Sequence, residues 1–325
     1  MISMASASPY VLGVCTDMSA WDALVSGSPQ GHVFSRSAYL HSLGSPHTCY
    51  VVSTPQGEIV AGAVIMGQGS CMARAPFAFT PHQGILFAQC ISKLTHQKRL
   101  TSEFRITEFL VDALLDKYSN FSMSLSPFFS DLRPFLWHNY GQSGQPQFDV
   151  RQRYTGYVSL TNFELGRYLA SVRSVRRQEF KKTPAVVQQS EDLNLFLDLY
   201  AKTFDRQGIA VGVETLSLVK SICSIALQKG YGYLSCAHVA GRAASIAFFL
   251  KDAACAYYLF GANDPEMRDA YASSKLLIDN IASFAEQGIE RFDFVGVNSP
   301  QRGDFKLSFN AELVPYQEVH LVAHA

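Results

Sequence analysis

Hydrophobic positions in the first half of the chain predict strands, one long helix and a further strand. Two β-branched runs, Cys49–Thr54 and Ile59–Met66, flank a Pro-Gln-Gly sequence. Its proline presets φ and its glycine permits positive φ, as a tight turn requires. Within Ser102–Tyr118, apolar residues recur at the spacing of one helix face. Phe121–Leu125 is a short apolar run that ends near a proline, which indicates another strand.

The second half repeats this order of elements. A long helix is expected over Met267–Gln287, with Asp264 as its N-cap and Pro265 at its first position. A basic helical stretch, Phe163–Lys182, lies earlier in this half. The other elements expected from the pattern are two amphipathic helices, Leu193–Phe204 and Thr215–Leu227, and the strands Arg153–Leu160, Tyr231–Val239, Ala243–Leu250, Ala254–Phe260, Phe292–Val295 and Leu313–Val322.

The length of the chain predicts two domains. Its 325 residues exceed the roughly 250–300 at which a single hydrophobic core stops growing. Hydrophobic residues make up 48% of the chain and charged residues 17%, so apolar material suffices for buried cores. A polar stretch rich in Gly and Pro, Gly141–Gln147, lies between the halves. We therefore expect an α/β protein with domains at residues 1–150 and 151–325.

Charge and cysteine content restrict the partners and the compartment. Basic and acidic residues both number 27, so the formal net charge is zero and we expect no DNA partner. The seven cysteines include no CxxC pair, which is typical of reduced thiols in the cytosol. The first residues lack a signal-peptide pattern, and no apolar run is long enough to span a membrane. These features predict a cytoplasmic protein without a transmembrane segment.

Two apparent motifs do not carry chemistry. Tyr271 and Lys275 are spaced like the catalytic pair of short-chain dehydrogenases, but that chemistry needs a glycine-rich dinucleotide turn upstream. The nearest match to such a turn, Gly67-Gln-Gly69, has no third glycine. We therefore interpret Tyr271 and Lys275 as two side chains on the surface of a helix. His320 and His324 lie on an expected strand, where their spacing suits a metal poorly. We expect neither a dehydrogenase nor a metal site.

A run of basic residues predicts an anion-binding surface. Arg173, Arg176, Arg177 and Lys181 follow helical spacing and would form one cationic stripe. Glu179 is the only acidic residue between positions 170 and 185, so we expect the stripe to be largely unneutralised. Guanidinium groups suit phosphate or carboxylate. The alternative interpretation is the solvated face of an exposed helix.

Segments in both halves resemble the FemAB-like branch of the GNAT acyltransferase superfamily, which includes CelD-like acetyltransferase domains. The resemblance extends over nearly the whole chain and is sharpest in the second half. The segments that carry it are Trp21–Leu24, Val33–Tyr39, Asp131–Trp137, Ser171–Arg177, Thr203–Gly208, Ala256–Ala262, Ser274–Leu277, Gly288–Phe294 and Phe305–Phe309.

This resemblance implies two GNAT-like domains, each a twisted mixed sheet flanked by helices. It implies transfer of an acyl or aminoacyl group to an amine of a cell-envelope or small-molecule acceptor. The donor would be an acyl-CoA, an acyl carrier protein or an aminoacyl-tRNA, bound as a co-substrate, with no tightly bound cofactor. No heptad run matches the coiled-coil arm of some tRNA-using members, which disfavours tRNA. Asp264 and Glu266 at the expected helix start would repel a pyrophosphate there.

The resemblance also implies the residues of a site. Lys306, in an expected loop before the last strand, would stabilise an oxyanion or hold a donor phosphate, and Asp293 would orient or deprotonate the amine. Tyr257 and Tyr258 point in alternate directions along a strand, so one would face the cleft. Anionic parts of the substrates would contact Arg173, Arg176, Arg177, Arg206 and Arg302. The alternative function is a non-catalytic binding module of the same fold that recognises an anionic glycan or nucleotide sugar.

Overall fold

The structure, a computed structural model, describes residues 9–205 and 211–322. Contacts divide the chain into two units. The first contains the residues up to His41, Ser45–Arg153 and the residues from Pro315, and the second contains Ser42–Gly44 and Tyr154–Val314. The strands form two sheets, and helices flank them, so the α/β fold class predicted from the sequence is confirmed.

The first unit contains a sheet of antiparallel pairs. Strands β1 to β4 follow one another in the order of the chain, and β5 pairs with β3. A further strand, β6 (Asn120–Ser124), pairs antiparallel with Glu318–Val322. The sheet strands are β1 (Val11–Val14), β2 (His47–Ser53), β3 (Ile59–Gln68), β4 (Cys71–Met72) and β5 (Ile85–Phe87), and the helices are α1 (Met18–Gly27), α2 (Ser37–Ser42), α3 (Gln89–Ser92), α4 (His96–Leu115) and α5 (Arg133–Leu136).

Two histidines lie side by side in the core of the first unit. His82 Nδ1 is 3.0 Å from His32 Nε2, and both rings are buried. The ring of Phe34 contacts both histidines, and Tyr316 packs against His82. Burial lowers the pKa of His82 to about 3, and burial together with the neighbouring His82 lowers the pKa of His32 well below its usual value. The pair is therefore neutral in the folded protein at pH 7.

We expect acid to destabilise the fold through this pair. As the pH falls below about 6.5, the unfolded chain binds protons that the folded histidines do not, so the free energy of unfolding falls. For His82 alone, the loss between pH 7.5 and pH 5 should be about 2 kcal/mol. Urea denaturation at the two pH values measures it. His82→Gln should flatten the pH dependence, and an unchanged dependence in this variant would contradict the prediction.

The second unit contains the other sheet. Its strands lie in the order β7-β12-β11-β10-β9-β8, and the β11–β12 pair is parallel. Two strands, β7 (Asp149–Ser159) and β13 (Glu312–Val322), continue from one unit into the other. The remaining strands are β8 (Val186–Gln189), β9 (Gly232–Val239), β10 (Arg242–Lys251), β11 (Cys255–Asn263) and β12 (Arg291–Asp293), and the helices are α6 (Leu165–Ser171), α7 (Ser174–Lys182), α8 (Leu193–Asp205), α9 (Val213–Gln228), α10 (Ala272–Glu286) and α11 (Pro300–Leu307).

The parallel pairing of β11 with β12 ends at the carboxyl end of β12. Tyr257 is the last residue of β11 in register with β12, opposite Asp293. Beyond this point β11 continues to Asn263, whereas β12 ends at Asp293. Below it, the aromatic rings of Phe249, Phe284 and Phe292 pack against one another in the core. These packed rings therefore support the residues at the end of β12.

Two helices predicted as continuous are interrupted. Phe163–Lys182 was expected to form one helix, but Val172 and Arg173 are extended and separate α6 from α7. Val172 at this break is buried in the hydrophobic core. Met267–Gln287 was also expected to be continuous, but Tyr271 has a positive φ of 54° and α10 begins only at Ala272.

Candidate active site

Asp293 ends β12 with its carboxylate fully buried. Its Oδ1 accepts hydrogen bonds from the Thr155 hydroxyl of β7 and from the backbone N–H of Val295 at 2.7 Å. Its Oδ2 has no hydrogen-bond partner among the residues that the structure describes. A buried carboxylate oxygen without a donor is unfavourable, and such groups concentrate at functional sites.

A left-handed turn follows Asp293 directly. Val295 and Gly296 both have positive φ, of 51° and 75°. The left-handed conformation is uncommon for a β-branched residue, so backbone strain is stored here, as it often is at functional sites. The Gly296 N–H donates to the Thr155 hydroxyl at 3.2 Å, and the Asn298 side chain bonds both backbone groups of Tyr154. These bonds hold the turn against β7.

Lys306 closes the turn from the other side. Its Nζ donates to the carbonyl oxygens of Val295 and Gly296, both at 3.0 Å. It also lies 5.8 Å from the centroid of the Tyr258 ring, within the range of a cation–π contact. The expectation that Lys306 lies in a loop is wrong, because it belongs to the last turn of α11. The last turn of α11 thus places the ammonium group of Lys306 beside the backbone that follows β12.

Asp293 and Lys306 influence each other's ionisation. Burial raises the pKa of Asp293 to about 6, although its hydrogen bonds and the Lys306 charge oppose the shift. Burial lowers the pKa of Lys306 to about 8, against the attraction of Asp293 and with a smaller contribution from Arg302 in the same direction. Both groups therefore titrate close to neutral pH. Groups poised in this range are suited to proton transfer or to transition-state electrostatics.

Tyr257 and Tyr258 point in opposite directions along β11. The Tyr257 hydroxyl is buried and donates to Asp252 at 2.7 Å. Tyr258 is half-buried, with its ring beside Lys306. A Cβ atom at Gly261 would lie 1.8 Å from the Tyr258 hydroxyl, so only glycine permits this position of the ring. Of the two tyrosines named from the sequence, Tyr258 therefore lies beside the Asp293–Lys306 pair.

Arg302 is an exposed cation near this pair. Its guanidinium lies 5.3 Å from the centroid of the Phe204 ring. It forms no ion pair or hydrogen bond within residues 9–205 and 211–322. Burial raises the pKa of Tyr258 to about 12, although the charge of Arg302 opposes this shift. Arg302 thus leaves its hydrogen-bond donors available to an anion.

The arginines of the basic segment are engaged within the protein, contrary to the expectation of an unneutralised stripe. Arg173 precedes α7 and forms a two-pronged ion pair with Asp304 at 2.8 and 2.9 Å. Arg176 pairs with Glu179 at 2.6 Å. Arg177 donates to backbone carbonyls at the end of α6. The physical reason is the presence of these partners, since Arg176, Arg177 and Lys181 still share α7, with Arg173 as its N-cap. The predicted Arg206 lies outside the described residues.

We expect Arg176→Gln to lower the free energy of unfolding by about 2 kcal/mol, because it leaves the largely buried Glu179 without its partner. Arg176 also stacks 5.1 Å from the centroid of the Phe305 ring, so packing is lost as well. The loss in the free energy of unfolding should be smaller than for a fully buried ion pair, because both side chains keep some contact with water. Urea denaturation measures the change, with the exposed Lys182→Gln as the control. Equal stability of the two variants would show that the pair is dispensable.

The turn before α10 also differs from the expectation. Asp264 caps a short 3₁₀ helix, Pro265–Ala270, and not the long helix itself. Arg242 pairs with both Asp264 and Glu266 at 2.6 Å, so these carboxylates are neutralised. No side chain caps the first turn of α10. The repulsion expected between these acids and a pyrophosphate is therefore much reduced.

The resemblance of Tyr271 and Lys275 to a dehydrogenase pair has no structural counterpart. Tyr271 lies before the first residue of α10, with a left-handed backbone, whereas Lys275 is inside the helix. Lys275 forms an ion pair with Asp279 at 2.9 Å and lies over the ring of Phe180. The lysine therefore has a structural role on the surface of the helix.

The described residues contain neither a cluster of metal ligands nor a helix that could span a membrane. Among residues 9–205 and 211–322, no group of three or more His, Cys, Asp or Glu side chains is arranged to hold a metal ion. No helix in the same ranges is both long and apolar enough to cross a membrane.

Sequence and structural comparisons relate the chain to known proteins. Residues 167–307 match the family described as acetyltransferase (GNAT) domain. No curated protein matches the chain. The fold is similar to that of FemX, with a TM-score of 0.67 and 14% identity, covering 94% of this chain and 96% of that one. It is also similar to a tandem GNAT protein from the clavulanic acid biosynthesis pathway (TM-score 0.53, 10% identity, 97% and 99% covered).

A third structure with a similar fold is the C-terminal domain of a proposed lysylphosphatidylglycerol synthetase from Agrobacterium fabrum. Its TM-score is 0.55 at 12% identity, and the match covers 94% of this chain and 91% of that domain. Residues 167–307 thus match an acetyltransferase (GNAT) domain, and the whole chain has a fold similar to those of FemX and the tandem GNAT protein, which is consistent with the FemAB-like branch.

Proposed function

We propose that the chain is an N-acyltransferase whose active site is formed around Asp293 and Lys306. It would move an acyl or aminoacyl group from a thioester or a charged tRNA to an amine of a cell-envelope or small-molecule acceptor. The observation that carries the proposal is the buried, mutually dependent carboxylate and ammonium at the point where the parallel pairing of β11 with β12 ends. The GNAT match spans both residues.

Acyl transfer requires stabilisation of negative charge on the tetrahedral intermediate. Lys306 is half-buried and charged below a pH of about 8, so its ammonium is suited to this role. Its hydrogen bonds to Val295 and Gly296 restrict its position before the substrate binds. A cation that is already oriented needs little reorganisation during the reaction.

Asp293 has two candidate roles from the sequence, and its burial favours one of them. A carboxylate that deprotonates the acceptor amine must come within hydrogen-bond reach of it. Asp293 is fully buried beneath the left-handed turn, behind the bonds from Thr155 and Val295. We therefore assign it to orienting the turn and to keeping Lys306 protonated, since its charge raises the pKa of Lys306. Asp293 is then a positioning residue.

Anionic parts of the substrates are assigned first to Arg302. Unlike Arg173, Arg176 and Arg177, its guanidinium forms no ion pair or hydrogen bond among the described residues, although it lies over the Phe204 ring. Its proximity to Tyr258 suits an acceptor or donor with a carboxylate or phosphate near the reacting amine. The donor remains an acyl-CoA, an acyl carrier protein or an aminoacyl-tRNA. GNAT domains favour the first, whereas the similarity to FemX and to the lysylphosphatidylglycerol synthetase domain keeps aminoacyl donors and envelope acceptors in the proposal.

The alternative, a binding module without catalysis, rested on repulsion between carboxylates and a donor pyrophosphate. Arg242 neutralises those carboxylates, so this support is weakened. A cytoplasmic location, where these donors are made, is part of the same proposal and agrees with seven cysteines that are all unpaired.

The proposal is tested by incubating the full chain with acyl-CoAs, acyl carrier proteins and aminoacyl-tRNAs, each with a set of amine acceptors. Mass spectrometry should detect an acceptor whose mass increases by that of the acyl or aminoacyl group, only in the presence of donor and protein. Boiled protein is the control. Binding of a glycan or nucleotide sugar without any donor-dependent mass change across the panel would favour the binding module and overturn the enzyme.

A further inference from the structure

A serine, a histidine and a glutamate lie together in the first unit and have no part in the proposed acyl transfer. Ser122 of β6 is directly opposite His320 of β13 in the antiparallel pair. Glu318 lies two residues before His320 on the same strand, so its side chain is on the same face. This arrangement depends on residues that are far apart in sequence and that the fold brings together.

The hydrogen bonds define the direction of the serine hydroxyl. Ser122 Oγ accepts a bond from the backbone N–H of Ala75 at 2.7 Å. The same oxygen is 3.0 Å from His320 Nδ1. Because the Ala75 amide can only donate, the serine O–H is free to donate to the imidazole. His320 Nδ1 is then the unprotonated nitrogen, and Nε2 carries the hydrogen.

Glu318 faces the other nitrogen of the ring. Its Oε2 lies 3.8 Å from His320 Nε2, and this nitrogen forms no hydrogen bond to any described residue. Arg153 holds the buried Glu318 carboxylate with a bond of 3.0 Å. The gap of 3.8 Å exceeds a hydrogen bond, but bonds of this kind often shorten when a substrate binds. The carboxylate favours the tautomer with hydrogen on Nε2.

Ser122 is half-buried and lines a small, partly open pocket of about 20 Å³. Val64, Met66 and Phe77 contribute apolar walls, and Thr80 adds a hydroxyl group. Arg74, an exposed cation near His320, has no ion-pair partner within the described ranges. Apolar side chains and a hydroxyl group therefore lie next to Ser122, and Arg74 carries a positive charge near His320.

We propose that Ser122 is a nucleophile and His320 its general base in a second site, which hydrolyses small acyl esters or thioesters. Glu318 positions the imidazole. Ser122 Oγ attacks the acyl carbon while His320 Nδ1 takes the hydroxyl proton. The C–O or C–S bond of the substrate then breaks, and the proton passes to the leaving alcohol or thiol.

Water completes the cycle. It attacks the acyl-serine ester, His320 takes its proton and returns it to Ser122 Oγ, and a carboxylic acid is released. This reaction is separate from amine acylation, because it needs neither Lys306 nor an acceptor amine. The two proposals can therefore fail independently of each other.

A fluorophosphonate reagent tests the nucleophile directly on the full chain. It forms a bond between phosphorus and the serine oxygen, and fluoride leaves with the hydroxyl proton. Peptide mapping by mass spectrometry should place the label on Ser122 in the native protein and nowhere in the heat-denatured protein. Labelling of other serines only, or equal labelling after denaturation, would overturn the proposal without any substitution.

Variants show whether Ser122 reacts because His320 activates its hydroxyl group or only because the serine is accessible to the reagent. His320→Gln should slow labelling by about a hundredfold, the usual contribution of a general base. Ser124→Ala is the matched control, because Ser124 lies on the same strand but donates its hydroxyl to the carbonyl of Pro81. It should label at the rate of the unmodified chain. A His320→Gln rate equal to that of this control would show that His320 does not activate the serine.

Glu318→Gln distinguishes a positioning role from a structural one. Glu318 raises the pKa of His320, whereas burial and the charges of Arg151 and Arg74 lower it and Asp149 raises it. Removing the carboxylate should therefore shift the acid limb of the labelling rate to lower pH, besides slowing labelling. Hydrolysis of p-nitrophenyl acetate should show the same shift. An acid limb at unchanged pH would exclude Glu318 from the site.

Discussion

Lys306→Met should reduce the rate of acyl transfer about a hundredfold or more, because it removes the cation that would face the developing oxyanion. Methionine keeps much of the length and apolar character of the lysine stem, so packing changes little. The carbonyls of Val295 and Gly296 lose their Nζ donor, which should cost about 1–2 kcal/mol of stability. Steady-state rates, corrected for the folded fraction, measure the effect on catalysis.

Two further variants separate charge from packing at this position. Phe305→Ala removes a ring that contacts Phe309 and Arg176, so it should lower stability before it lowers the rate. Lys306→Arg retains a charge that does not titrate near pH 8. In the unmodified chain, activity should fall as the pH rises through about 8, where Lys306 loses its proton. Arginine should remove that limb while retaining part of the rate.

A rate for Lys306→Met within about threefold of that of the unmodified chain, a difference of less than about 1 kcal/mol, would remove Lys306 from the site. So would a pH profile without a limb near pH 8. In either case the lysine would be a structural group that holds the Val295–Gly296 turn, and the proposal for catalysis would lose its main support.

For the second unit, the sequence predicts which helices and strands exist better than it predicts the residues at which they begin and end. The long helix was recognised from its apolar spacing, but its start was placed at Asp264 because an Asp-Pro pair is a typical helix beginning. That pair begins a 3₁₀ helix instead, and α10 starts after the left-handed Tyr271. A positive φ at tyrosine has no local sequence signal, because residues other than glycine rarely adopt it.

The candidate site was only partly accessible from the sequence. Asp293 and Lys306 were named from the family resemblance, and the structure brings them within electrostatic range of each other. Thr155 was missed because its contact with Asp293 depends on the pairing of β7 with β12, which brings distant residues together. Gly261 was missed because its importance lies in the Tyr258 ring that passes over it. Local patterns contain neither kind of contact.

Asp293→Asn should separate the two roles of the carboxylate by changing activity and stability in opposite directions. Asparagine can still accept the bonds from Thr155 and Val295, but it removes the charge that raises the pKa of Lys306. The amine of Lys306 should then lose its proton at a lower pH. For a shift of about one unit in that pKa, the protonated fraction of Lys306 at pH 8 falls from about a half to about a tenth, so we expect the rate at pH 8 to fall about fivefold. Part of the rate should return near pH 6.5.

Stability provides the second measurement. Burial raises the pKa of Asp293 to about 6, so its ionised form is unfavourable in the folded protein. The difference between the usual pKa near 3.8 and the pKa of about 6 corresponds to a cost of up to about 3 kcal/mol in the free energy of unfolding at neutral pH. This cost disappears as the pH falls from about 6 to about 3.8, because the carboxyl group then becomes neutral. The neutral amide of the variant carries no such cost, so Asp293→Asn should unfold at a urea concentration no lower than that of the unmodified chain at pH 7.5.

If Asp293 were instead the general base, the variant would be inactive at every pH, with no recovery near pH 6.5. That outcome would move Asp293 from positioning Lys306 to accepting the proton of the amine, and would require the turn above it to open when the substrate binds.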